Sequence, residues 1–218
     1  MHRLRVLARR LRTLLRILKP VKGAAPARNA SRRLRRLGRA LGERRIWDVA
    51  FAGMPGLVRQ PARFEPKRSA ASRRLSRELK RLDLEALMGE LRQASRSLRA
   101  APSSIVAERA AKLRRALERC EGRAPRPVDA RHALRLDLKK ARYLLEACGV
   151  DAPRARALQA LLGREHDLYM LQALAGRNRR VKQREAQSRA ATDAAAGRAL
   201  RETVALLRGL QRGFADTR

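Results

Sequence analysis

The chain has 218 residues, a formal net charge of +34 and 44% hydrophobic residues, with aromatics at only 3%. That length fits one large domain or two fused small ones and can bury a real core. So high a charge opposes compaction by self-repulsion unless a polyanion offsets it, which leaves nucleic acid, polyphosphate or an anionic membrane surface as partners.

A coding bias that scatters Arg over solvated faces accounts for part of the surplus charge. Arg nevertheless far outnumbers Lys, and its planar fork grips two phosphate oxygens where Lys offers a point charge. No stretch reaches the apolar length of a membrane span. The N-terminus lacks the apolar run and cleavage site of a signal peptide. Cys120 and Cys148 show no C-x-x-C spacing, so the expectation is a reduced, soluble, cytoplasmic chain without a metal centre.

The predicted elements are all helical, because Ala, Leu, Arg and Glu lead the helix propensities and β-branched residues are scarce. Met1 to about Lys19 is the first helix. At about 100° per residue, His2, Arg5, Arg9, Arg12, Arg16 and Lys19 share one arc, with Leu4, Leu7, Leu11, Leu14, Leu15 and Leu18 on the arc beside it. After the Pro20–Pro26 break, Arg28 to about Leu41 forms the second helix. Gly42 loosens it, and an apolar continuation from Ile46 ends near Pro55-Gly56, with Trp47 as a core anchor.

Gln60–Ser69 carries two prolines and reads as a loop. About Ala70 to Ala100 reads as one long helix striped by Leu75, Leu79, Leu82, Leu87, Leu91 and Leu98. A helix from Ser103 or Ser104 to about Cys120 follows, and Glu121–Pro127 is the clearest linker. It is expected to divide two repeats, residues 1–122 and 128–218.

Asp129 is the expected N-cap of the next helix, which ends at Gly149. Asp151-Ala152-Pro153 signals another start. Asn178–Gly197 has weak apolar periodicity and reads as a solvated helix or a partly disordered stretch. Ala199 to Phe214 closes the chain as a helix striped by Leu200, Val204, Leu207 and Leu210. Each half thus reads as four helices, and two fused bundles are the economical architecture.

The first helix is written twice. His2, Arg5, Arg9-Arg10 and Arg12 match His132, Arg135, Lys139-Lys140 and Arg142 in spacing, and Tyr143 joins the second row. Two such rows suggest one long anion site. Their repeat lowers the weight of the bland alternative, a solvent-facing charged stripe. Leu41-Gly42-Glu43-Arg44-Arg45-Ile46-Trp47-Asp48 and Leu162-Gly163-Arg164-Glu165-His166-Asp167 follow the two copies in order.

This pattern resembles the CHAD family, the conserved-histidine α-helical domain, whose hallmark is H-x-x-R-x-x-x-[RK]-[RK]-x-R early in each half. The resemblance covers essentially the whole chain. The family's Asp after the Arg is Ile46 here, whereas Asp48 is kept, and the first histidine stands at residue 2 without the usual lead-in. The resemblance implies two pseudo-symmetric four-helix bundles from an internal duplication, a basic central channel or groove, and binding of inorganic polyphosphate. Association with polyphosphate granules is a further expectation. The expected polyphosphate-binding residues are His2, Arg5, Arg9, Arg10, Arg12, Arg16, Lys19, Arg45, His132, Arg135, Lys139, Lys140, Arg142 and Tyr143.

Other readings compete. The histidines could be proton switches, catalytic bases, phosphate donors or packing residues, and Tyr143 could be packing. Glu165-His166-Asp167 is a poor metal site, since adjacent helix residues point apart. Asp48 and Asp167 read better as organisers of neighbouring cations. A nucleic-acid binder fits the charge, yet base stacking needs aromatics. A phosphoryl-transfer enzyme needs acidic metal ligands and a phosphate loop, and neither is visible, so the chain is expected to be a cofactor-free binding module.

Overall fold

The computed structural model describes residues 2–18, 21, 24–52, 61–99, 103–120, 122–175 and 178–215. Among them the chain forms eight α-helices, one 3-10 turn and no strand. It divides into two compact units, Met1–Ala101 and Pro102–Arg218. The division falls ahead of the Glu121–Pro127 linker expected to make it, because the helix before that linker packs against helices that follow it.

The first unit holds α1 (His2–Ile17), α2 (Ala25–Ala52), the 3-10 turn Pro61–Phe64, α3 (Glu65–Lys80) and α4 (Leu84–Arg99). Helix α2 is its spine, packed against α1, α3 and α4. Ala8, Leu15 and Leu18 meet Ala27, Ala30, Leu34, Leu87 and Ala94 in one cluster, while Leu37, Ala40, Leu41 and Leu75 form another. Only part of the apolar arc of α1 is covered, for Leu4 and Leu7 are exposed. Gly42 does not interrupt α2, which runs through it.

Three further expectations fail in this unit. The Gln60–Ser69 loop contains the 3-10 turn and the start of α3, where Pro66 sits in the first turn. There proline is tolerated because its missing N–H has no helical partner anyway. The single long helix from Ala70 is two helices. Asp83 accepts the Ala86 amide at 2.9 Å and so caps α4; of the expected stripe Leu79 is exposed, while Leu75 and Leu87 are buried. Trp47 is half-buried rather than a core anchor, with its ring centroid 6.0 Å from that of Phe64.

The second unit holds α5 (Ser103–Glu118), α6 (Val128–Ala147), α7 (Pro153–Ala175) and α8 (Arg179–Ala215). Helices α5 and α7 each pack against both α6 and α8, and α6 touches α8. Leu117, Leu138, Leu145, Leu158, Leu171, Leu200 and Leu207 are almost wholly enclosed.

Pro127, without a side-chain cap bond, precedes α6. Asp129 lies in the first turn instead of capping it, where its charge still favours the positive helix end. At the other end Val150 donates to Leu145 O at 2.9 Å and Gly149 to Glu146 O at 3.3 Å. That Schellman pattern requires the left-handed φ of 77° that Gly149 supplies.

The ambiguous stretch from Asn178 belongs to the 37-residue α8. Asn178 Oδ1 accepts the amides of Arg180 and Val181, an N-cap. The buried stripe is Ser188, Thr192, Ala196, Ala199 and Thr203, small residues that hydropathy barely registers. Thr192 and Thr203 satisfy their hydroxyls on the carbonyls of Ser188 and Ala199.

Candidate functional site

In the first unit the cation row of α1 gains partners from α2. Arg12 is the centre. Its guanidinium lies over Gly38, with Nη1 3.5 Å from where a Cβ would stand. Its Nε is buried without a hydrogen-bond partner among the described residues. Burial first, then Arg16, Arg35, Arg9 and Arg39, lowers the Arg12 pKa. A half-buried guanidinium among four others is an electrostatic deficit that a bound anion would offset.

Arg9, Arg12 and Arg16 of the expected set are thus brought together. Arg35 and Arg39 were missed; their signal was the Arg-rich face of α2, which sequence alone did not aim at α1. Arg5 is half-buried one turn before Arg9. Arg10 is exposed but lies about 100° round the helix from Arg9. Arg45 is exposed further along α2 and is not among the cations that weigh most on Arg12. His2 opens α1, though its side chain, like all of Lys19, lies outside the described residues. Asp48 organises cations as expected, accepting from Arg44 at 2.9 Å and Arg68 at 3.3 Å.

In the second unit the row of α6 meets the second motif on α7. The rings of His132 and His166 stand 4.9 Å apart, centroid to centroid, tilted by 43°. A small crevice is lined by both, with Arg135, Glu165 and Tyr169. Arg135 passes α7 at Gly163, where an added Cβ would lie 3.8 Å from its Nε. His132 Nδ1 is buried without a hydrogen-bond partner among the described residues.

Burial, then Arg135 and Lys139, push His132 below its ordinary pKa against the pull of Asp129. Burial, then Arg135 and His132, bring His166 down to about 4, with Asp167 opposing and Lys139 assisting. Both imidazoles are therefore neutral near pH 7. An anion drawn in by Arg135 and Lys139 would favour their charged, donating form.

Beneath this face lies a buried ion pair. Arg131 donates to Glu165 through Nε at 2.5 Å and Nη2 at 2.7 Å, and its Nη1 reaches Asp193 at 2.7 Å and Pro125 O at 3.1 Å. It clamps α6 to α7 one residue away from each histidine. The available signal was phase: Arg131 continues the Leu134–Leu138 stripe and Glu165 the Leu158–Leu162 stripe, charges at core positions on both helices.

Three expected site residues are placed otherwise. Arg142 is buried, donates to Glu146 at 3.1 Å and has its guanidinium carbon 4.6 Å from the centroid of the Tyr143 ring. Tyr143 is buried as well, so the packing alternative holds for it. Both keep the arc of His132, Arg135 and Lys139, but the whole turn Ala141–Leu145 is buried, so the row is enclosed at this end of α6. Lys140 is paired with Asp137 at 2.6 Å.

Fold and faces together define an all-helical basic domain with histidine-headed cation rows. The CHAD domain family model matches residues 1–176, and the chain belongs to the CHAD family. No curated protein and no solved structure matches it. Helix α8 lies beyond the matched stretch. Among the described residues no helix is long and apolar enough to cross a membrane.

Proposed function

We propose that this chain binds inorganic polyphosphate, as a binding module without catalysis of its own. The α1–α2 arginine cluster and the α6–α7 face of His132, Arg135, Lys139 and His166 each grip successive phosphates. The observation that carries the reading is Arg12, a half-buried guanidinium whose most influential charged neighbours are all arginines. A fold that keeps such a group is stabilised by a dense, flexible anion. The CHAD family's association with polyphosphate sharpens the class of anion to that polymer.

Isothermal titration with long-chain polyphosphate, beside duplex DNA at equal phosphate concentration and at two salt concentrations, tests the proposal. Polyphosphate should bind more tightly, with affinity falling as salt rises because counterions are released. Equal or tighter binding of DNA would shift the assignment to nucleic acid, and release of free phosphate above blank would revive an enzyme.

A further inference from the structure

A second, larger hollow of about 770 Å³ opens on the same unit and takes its cations from α8. Its lining includes Val128 of α6, Gln172 of α7, and Arg179, Lys182, Glu185 and Arg189 of α8. Three cations face one carboxylate. Arg179, Lys182 and Arg189 stand at positions 0, 3 and 10 along the helix, the spacing that puts His132, Arg135 and Arg142 in one row of the motif. Ten residues of helix rise about 15 Å, so the row is long.

Three further observations make the row a site rather than a solvated stripe. First, Val128 and Glu185 line both this hollow and the His132–His166 crevice, so the two are adjoining compartments. Second, Arg189 Nε stands 3.9 Å from Oε1 of Glu165, the acid beneath that crevice, an ion pair too long for a hydrogen bond, so the side chain links the two compartments. Third, α8 has no acid in its first turn, where Arg179, Arg180 and Lys182 add positive charge to the positive end of the helix dipole. An anion lying in the hollow offsets that charge.

We infer that the phosphate track of the α6–α7 face continues onto α8, where Arg179, Lys182 and Arg189 hold a further segment of the same polymer. This rests on the polyphosphate reading. It adds a chain-length dependence: ligands long enough to leave the His132–His166 crevice gain contacts on α8, and short ones do not.

The test compares tripolyphosphate with long-chain polyphosphate by titration calorimetry on the full chain. Four proteins are needed: wild type, R179A/K182A, R135A/K139A, and R73A/R77A as a charge-matched control on exposed positions of α3. R179A/K182A should weaken long-chain binding roughly tenfold, lower its salt slope by about two, and leave tripolyphosphate within about twofold. R135A/K139A should weaken both ligands. The inference is overturned if R179A/K182A leaves long-chain affinity unchanged, weakens both ligands equally, or does no more than the α3 control. Should wild type fail to bind long-chain polyphosphate at all, the polyphosphate reading itself fails and the extension falls with it. Far-UV circular dichroism of each variant separates lost contacts from lost fold.

Discussion

Replacing Glu165 with leucine strips Arg131 of its buried acid. The Arg131 side chain is 4% exposed and that of Glu165 8%, so the two charge-assisted bonds at 2.5 and 2.7 Å operate almost out of water. Asp193 remains, but its carboxylate is 51% exposed and largely screened. Breaking a buried pair from one side costs about 3–5 kcal/mol, and the surviving Asp193 and Pro125 contacts place this case near the lower end. The paired variant Arg131→Met/Glu165→Leu fills the space with apolar groups and should stand within about 1–2 kcal/mol of wild type.

Urea unfolding followed by far-UV circular dichroism, for the wild type, both single variants and the double variant, gives the coupling energy. A cost below about 1 kcal/mol for Glu165→Leu, or a double variant as weak as the sum of the singles, would refute the clamp. Loss of the clamp should also weaken tripolyphosphate binding, since it fixes the spacing of His132 and His166.

Arg12→Met should raise stability by removing a half-buried cation from among its own kind, and lower polyphosphate affinity several-fold; thermal melts with and without ligand read both, and a loss of stability contradicts the cluster. Gly197→Ala should destabilise by about 1–3 kcal/mol, because its Cβ would come within 2.9 Å of the Gly122 carbonyl oxygen, a backbone atom. Gly209→Ala, which meets nothing within 4 Å, should stabilise by up to about 1 kcal/mol; equal melting shifts for the two would show that packing at Gly197 is loose.

The His166 pKa lies near 4 in the fold against 6.5 ordinarily, so the unfolded chain binds its proton more tightly. Its contribution is present above pH 6.5 and is lost as pH falls toward about 4. It amounts to about 1–3 kcal/mol, the lower end set by solvent screening. His166→Asn should therefore lessen the stability difference between pH 7 and pH 4.5, and an unchanged difference would contradict a neutral His166.

Much of this was legible in the sequence. Helix propensity and the recurrence of Leu set an all-helical chain, and the spacing from His132 to Lys139 placed three site residues on one face of α6. Where reading failed, a local signal was overruled by packing or hidden in small residues. The break at Asp83 sits inside an unbroken leucine pattern, and the stripe of Ser188, Thr192 and Ala196 is buried although none of them is strongly apolar.

By itself the sequence determined which residues share a helix face, because that follows from about 3.6 residues per turn and needs no neighbour. It could not determine which faces meet. Arg35 and Arg39 add their charge to that felt by Arg12, the His166 ring lies tilted beside that of His132, and Arg142 is enclosed only because particular helices pack together. An arginine reads the same in sequence whether water or a carboxylate surrounds it. Tertiary packing alone sets that environment, and with it the division between cations that hold the fold and cations open to a phosphate chain.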